Sequence, residues 1–481
     1  MSTHRLALGL ATICVVLVAS SGYARAESAP PSAASTVAAP LASAEPSPAP
    51  SATPTPAPER FSVHAQATIT QQYHGGFPAA YSGPQSLNPN PDTAKTADGT
   101  LYLGARLWKG GEGYIDPEID QGFGLGNPAP PGQMYNGTYG VAGFLSGEAY
   151  KVGRDNSYGR IQRIFIRQTF DLGGEKQTVD PDVNQLGGSV DAKHLTLTVG
   201  KFSTVDVFDT NPYAHDPKND FLNWSIIDMG AFDYAADSWG YTYGASAELV
   251  SPHSALRAGL FQLSVLPNGI EIEHVPLQQS SVVVEYEQDT SFLGGHPGAM
   301  KALVYEDDGA FGTYAAALAL AQATGTLPST TSVRTNKHIK AGAGLNLSQE
   351  IATDVGLFAR VSAMNGTYEA DDFTEIDRSI MGGISINGEL YHRPNDAFGL
   401  AGAANSLAAP AQAYFAAGGI GVLIGDGGQS YGGEHLYETY YKLGIGTHAG
   451  ITFDFQRVFN PGYNLVRGPV GVYGARYHLA I

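Results

Sequence analysis

The chain has 481 residues, including 60 glycines, 26 tyrosines and 20 phenylalanines; only 15% are charged, and the formal charge is −18. At this length two or three soluble domains are the ordinary expectation, with one large barrel as the competing one. The acidic balance argues against a nucleic-acid partner, and no stretch approaches the roughly 18 consecutive apolar residues of a membrane helix.

The first element is a leader. Arg5 gives a basic start, Leu6 to Ala19 is an apolar core, and Ala24-Arg25-Ala26 supplies a small-x-small cleavage pattern. Residues 1–26 therefore read as a secretory signal peptide. The single cysteine, Cys14, lies inside it, and Ile13 stands where a lipoprotein site needs a small residue. The exported chain then has no disulfide or thiolate chemistry, and losing Arg5 and Arg25 takes the formal charge from −18 to about −20. Residues 27–60 form a Pro/Ala/Ser tract that cannot bury a core; it is expected to be a disordered periplasmic spacer.

From residue 61 to 481 the pattern changes to period two, the signature of strands with two unlike faces. Phe61, Val63, Ala65, Ala67 and Ile69 alternate with Ser62, His64, Gln66, Thr68 and Thr70. Leu101, Leu103, Ala105 and Leu107 alternate with Tyr102, Gly104, Arg106 and Trp108. Similar runs occupy 195–199, 241–249, 355–363, 437–445 and 451–455. The last run places Tyr473, Ala475, Tyr477, Leu479 and Ile481 on one face, and Gly474, Arg476, His478 and Ala480 on the other. About fifteen such segments are separated by Gly, Asn, Asp or Pro. A soluble sandwich also alternates, but the polar face here is rich in Gly, Ser, Thr, Arg and Tyr, and aromatics sit on the apolar face. The expected fold is all-β: a transmembrane antiparallel β-barrel of about 16 strands, apolar outside and polar inside, in the bacterial outer membrane.

Several long blocks carry a family likeness. They include "PEIDQGFGL" from Pro117, "FIRQTFDLGGE" from Phe165 and "GKFSTVDVFDTNPYAHDPKNDFLNWSIIDMGAFDYAADSWGYTYGA" from Gly200. Later come "FTEIDRSIMGGISINGELYHRPNDAFGLAG" from Phe373, "LYETYY" from Leu436 and "FDFQRVFNPGYNLVRGPVGVYGARYHLAI" to the end. Over about residues 100–481 the chain resembles the OprB-type carbohydrate-selective porins. The resemblance implies a 16-stranded barrel with inward-folded constriction loops and passive diffusion of small, glucose-like sugars into the periplasm, with no reaction and no cofactor. Porins of this kind usually end in an aromatic residue, whereas Ile481 ends this sequence.

A sugar offers an apolar C–H face and a rim of hydroxyls, so a selective pore needs aromatic surface beside donors and acceptors. Candidate channel-lining residues on the wall are Tyr102, Arg106 and Trp108 on one strand, Arg163 and Arg167 on another, and Arg360 on a third. Arginine suits hydroxyl binding because it is always charged and presents fixed donors; a salt-bridge ladder that stiffens the wall is the competing reading. The Asn/Asp-rich segment after Gly200, broken by Pro212 and Pro217, is read as the constriction loop. It carries Asp206, Asp209, Asp216, Asp220, Asp228 and Asp233, with Asp209 and Trp224 as its candidate lining residues. "PEIDQGFGL", with Glu118 and Asp120, is read as a second inward loop; it lacks ordered calcium-ligand spacing, and no metal is expected.

Three other readings compete. Paired carboxylates such as Glu285/Glu287 or Asp371/Asp372 suggest a glycosidase, but acidic chains contain such pairs by composition, so no enzyme is expected. The net charge suggests a general or cation-preferring porin without a sugar site. A plugged adhesive barrel is the third. A monomer and a homo-oligomer such as a trimer expose the same alternating faces to lipid.

Overall fold

The structure is a computed structural model describing residues 58–126, 139–151, 153–292, 295–372 and 374–481. The expected leader (1–26) and all but the end of the expected spacer (27–60) lie outside the described residues. Among the described residues sixteen strands form one closed barrel in which each pairs antiparallel with its sequence neighbours and β1 pairs with β16. The first four are β1 (Phe61–His74), β2 (Asp92–Trp108), β3 (Gly111–Gly122) and β4 (Arg154–Val179). Next come β5 (Gly188–Phe202), β6 (Thr242–Ser251), β7 (Ser254–Gln262) and β8 (Ser280–Thr290). They are followed by β9 (Gly298–Gly309), β10 (His338–Ala352), β11 (Val355–Met364) and β12 (Arg378–Asn387). The last are β13 (Ala397–Ser406), β14 (Glu434–Ile445), β15 (Ala449–Phe459) and β16 (Val470–Ala480).

Alternation decides which face meets lipid. On β16, Tyr473 is 58% exposed while Arg476 is 1% exposed. On β1, Val63 and Ile69 point out, and Ser62, Thr68 and Thr70 are buried within. The register joins the two strands face to face, with Tyr73 opposite Tyr473 and Ile69 opposite Tyr477. Outward rings continue sideways from Tyr473 to Phe455 (5.1 Å) and from Phe455 to Tyr437 (6.1 Å), a patch of the kind that girdles membrane barrels.

The two ends differ. Connections of two or three residues join β2 to β3, β6 to β7, β10 to β11 and β14 to β15 at one end. Gly110, with φ +72, makes the Lys109–Gly110 turn possible. The other end carries the long loops, so the short-turn end is the periplasmic one by the rule for such barrels.

"PEIDQGFGL" is not a loop. Asp116, Glu118 and Asp120 lie on β3 and face inward, fully or almost fully buried. Pro117 is tolerated there because the β3–β4 register shifts beside it, freeing a position that needs no N–H donor. The second inward segment does exist but follows later. Val141, Ala142, Phe144 and Leu145 are buried, and the Gln72 and Gln456 amides both donate to the Leu145 carbonyl at 2.8 Å.

The apolar core sits inside the barrel. Residues 203–241, the connection from β5 to β6, fold back across the lumen and are hereafter called the inward loop. Its Phe208 meets Phe261 of β7 (6.0 Å), Phe221 meets Phe358 of β11 (5.5 Å), and Phe232 meets Tyr305 of β9 (5.1 Å). Wall glycines act as sockets for it. A Cβ at Gly356 would fall 2.1 Å from the Tyr213 ring, and one at Gly344 would fall 2.3 Å from the Met229 sulfur.

The loop is latched to the wall by a buried ion pair, Asp209 with Arg360, whose side chains are 0% and 1% exposed. Replacing Arg360 with Ala strands a carboxylate without its cation, a loss of about 3–5 kcal/mol. The thermal unfolding midpoint should fall by several degrees, with partial recovery in the Arg360→Ala/Asp209→Asn double variant; an unmoved midpoint would remove the latch.

Candidate channel constriction

The inward loop packs on β7 through β15. It is also anchored at points on β16, β2 and β4, through Arg476 to the Pro217 and Asp220 carbonyls, Lys218 to Asp98 and Asp206 to Arg163. This leaves space on the side of β16 and β1 through β4. There a cavity of about 490 Å³ is lined by Gln66, Tyr102, Glu118, Arg163 and His478 from the wall, and by Asp206, His215, Asp228, Trp224 and others from the loop. A second cavity of about 290 Å³ shares Tyr102, Arg163, Val183 and Asp206 with it and continues along β4, β5 and β6.

Four of the expected lining residues border these cavities: Tyr102, Arg163, Arg167 and Trp224. Each is also held by neighbours. Arg163 grips Asp206 with two parallel hydrogen bonds, Nε to Oδ2 at 2.7 Å and Nη2 to Oδ1 at 2.6 Å, the bidentate geometry that fixes a guanidinium plane. Its head also lies 4.9 Å from the Tyr241 ring centre. Arg167 lies beside the stacked Tyr114 and Phe165 rings (5.4 and 5.3 Å) and donates to the Asn184 carbonyl at 2.8 Å. Trp224 opens the short helix α1 (Trp224–Ile227), capped by the Asn223 side chain, and stacks on Phe144 at 5.0 Å.

The other four do not border either cavity. Asp209 is a buried latch rather than a lining group. Its Oδ1 accepts from Arg360 Nε (2.9 Å) and Asn346 Nδ2 (2.6 Å), its Oδ2 accepts from the Met229 amide (2.6 Å), and its own amide donates to Glu285 (2.8 Å). Arg360 is consumed by that latch and by the Ile226 carbonyl at 2.9 Å. Trp108 leaves the lumen face because the β2–β3 register shifts between Arg106 and Trp108. It lies 53% exposed at the periplasmic rim and donates to Gln168 Oε1 at 2.6 Å. Arg106 pairs with Glu112 (3.0 Å) and donates to the carbonyls of Glu59 (3.0 Å) and Gly187 (3.3 Å), tying the barrel's floor together.

Sequence reasoning missed His215. Its Nδ1 lies 3.1 Å from Asp228 Oδ1 and its Nε2 lies 3.1 Å from the Val205 carbonyl. Both partners accept, so both ring nitrogens must donate, which requires the imidazolium. Burial opposes that charge, but the hydrogen bond and charge of Asp228 prevail and push the His215 pKa up to about 9. Nothing in the string "NPYAHDPK" could have shown this, because Asp228 arrives from a later turn of the loop. Lys218, also missed, sits among Asp98, Glu148 (3.0 Å) and Thr68 Oγ1 (3.4 Å).

The larger cavity is acidic on balance. Glu118, Asp182, Asp206, Asp216 and Asp228 face Arg163, Lys218 and the charged His215. Glu118 is satisfied by neutral donors, Thr100 Oγ1 and Gln162 Nε2, both at 2.5 Å.

A family model described as "Carbohydrate-selective porin, OprB family" matches residues 85–480. The chain belongs to that family. It is an outer-membrane porin, and its family and fold are those of a passive channel. Among solved structures it is similar to Pseudomonas putida OprB (high-pH structure), with a TM-score of 0.63 at 14% identity over 88% of this chain and 94% of that one. It also matches a BenF-like porin from Pseudomonas fluorescens Pf-5, with a TM-score of 0.44 at 10% identity, covering 88% of this chain and 99% of that one. A search of curated proteins finds no match.

The raised His215 pKa predicts a pH response. A group with a raised folded pKa stabilises the fold fully below its unfolded value and loses that contribution as pH rises through the folded one. As pH rises through about 9 the folded porin should lose a cation from its constriction and grow more cation-selective, read as a shifted reversal potential in a salt gradient. The His215→Gln protein should lack this step; a step that survives would assign it to another group.

Proposed function

We propose that this porin favours small sugars, passing them by diffusion through the space between the inward loop and the β16–β4 side of the wall. The observation that carries the reading is the composition of that space. Aromatic rings of Tyr102, Trp224 and Tyr241 stand beside Arg163 and Asp206, which are locked to each other. Rings suit the C–H face of a pyranose, and groups already paired keep their geometry while sharing remaining lone pairs and N–H groups with hydroxyls. The family description supports the same class of permeant. In this reading Tyr102, Arg163, Arg167 and Trp224 line the route, whereas Asp209 and Arg360 hold the loop that narrows it.

A second reading, a cation-preferring porin without a sugar site, is favoured by the excess of carboxylates in the cavity. Single-channel current in a planar bilayer separates the two. A sugar site predicts an ion current that falls saturably as glucose is added; a current indifferent to glucose with a strong cation preference supports the second reading instead.

We propose further that residues 1–26 are a cleaved leader and that the following tract is a periplasmic spacer. Its junction with the barrel is Glu59, whose amide donates to the Gly187 carbonyl at 2.9 Å, and Arg60, whose carbonyl accepts from Arg106 at 2.9 Å. Deleting residues 29–57 while keeping Glu59 should leave conductance unchanged; a lost or unstable current in inserted protein would give the tract a channel role.

A further inference from the structure

We propose that the turn between β4 and β5, residues 180–187, is the second jaw of the constriction, and that Val183 and Asp182 at its tip limit the width and charge of what passes. The inward loop narrows the lumen from the long-loop end, and this turn faces it from the periplasmic end.

Three observations meet here. The first is position. Asp182 and Val183 line the larger cavity together with Asp206, His215 and Asp228 of the inward loop, and Val183 lines the smaller one with wall residues Phe165 and Thr198. A periplasmic turn that borders the same space as an inward-folded loop has bent into the barrel rather than hanging below it.

The second is exposure. Val183 is 40% exposed, whereas Phe165 and Thr198 of the wall beside it are buried. An apolar side chain left bare in a water-filled passage adds steric bulk without adding a binding charge. Beside it, Asp182 presents a carboxylate whose Oδ1 accepts the Val183 amide at 2.7 Å. Backbone bonds in both directions between Asp182 and Gln185, 3.0 Å each, close the turn.

The third is rigidity. Around the bare tip, the stem of the turn is pinned. Asn184, in the left-handed region at φ 54, donates to Asp116 Oδ2 at 2.8 Å, and its carbonyl accepts from Arg167 at 2.8 Å. The Leu186 amide donates to the Tyr114 hydroxyl at 3.2 Å. The Gly187 amide donates to Glu59 Oε2 at 2.8 Å, and the Gly187 carbonyl accepts from Arg106 Nη2 at 3.3 Å. A loose turn would be pushed aside by each permeant; one fixed by this many bonds sets a width. Arg106 and Glu59 are thus positioning residues for the filter, which gives Arg106 a place in selectivity without contact with the permeant.

The inference rests on the channel and not on the sugar reading, so salt alone tests it. Full-length porin extracted from outer membranes is placed in planar bilayers of phosphatidylcholine with potassium chloride, after the folded state is confirmed by its shift on unheated gels. Val183→Trp should lower single-channel conductance by about twofold or more, and Val183→Ala should raise it. Asp182→Asn keeps the oxygen that accepts the Val183 amide and removes only the charge, so the reversal potential should move toward chloride with little change in conductance. Folded Val183→Trp and Val183→Ala channels of unaltered conductance, with an unmoved reversal potential in Asp182→Asn, would overturn the proposal. A wild-type channel indifferent to glucose would remove the carbohydrate reading and leave these shifts standing.

Discussion

Pairing β1 with β16 is the constraint on which everything else depends. In a bilayer core no water is present to satisfy a bare strand edge, so a sheet crosses a membrane only when its first and last strands meet. The contact runs over nine residue pairs, from Gln66 opposite Ala480 to His74 opposite Val472. Because side chains alternate with period two, this register must also match outward with outward; a slip of one residue would turn Tyr473 and Tyr477 into the lumen and Arg476 into lipid.

Closure creates an interior that then has to be managed. A barrel of this circumference encloses more room than wall side chains fill, and the inward loop takes up much of it. That loop brings aromatic rings and charges into the same confined volume. The rings find glycines on the wall, where the missing Cβ leaves a socket. The charges find partners on different strands: Asp209 with Arg360, Asp233 with Lys340, and Arg163 with Asp206. Removing one partner of such a pair would cost more than forming it gains, so the pairs specify where the loop lies more than they add stability. Glycine content, which in the sequence looks only like flexibility, is here a means of close approach.

What remains open is asymmetric. With the loop held against β7–β15, the space left lies beside β16 and β1–β4, and its chemistry is that of the residues there. Its fixed pairs offer hydrogen-bonding capacity without a mobile bare charge, which suits a neutral polyol. The surplus of carboxylates pulls the other way, toward cations, and His215 tempers it by holding a proton between Asp228 and the Val205 carbonyl. The cavity thus sets ring surface, paired charge and net charge within a few ångströms of one another.

The sequence by itself determined the barrel. Period-two alternation on each strand fixes which face meets lipid, and about fifteen segments between turn residues, taken with the even strand number of bacterial barrels, lead to about 16 strands. It also marked the inward loop, since an Asp-rich stretch with this many aromatics needs something to fold against. It did not determine which charged residues line the route. Tyr102, Arg163, Arg167 and Trp224 border the cavities, but Asp209 and Arg360 were spent on each other, Trp108 was turned to the rim by a one-residue bulge, and Arg106 was drawn to the floor by Glu59 and Gly187. The two jaws of the constriction, His215 beside Asp228 and the turn carrying Val183, come from segments far apart in the chain. Alternation is a local property, set by backbone geometry two residues at a time. A charge's role depends on which partner the closed barrel brings within 3 Å, and only the tertiary structure decides that.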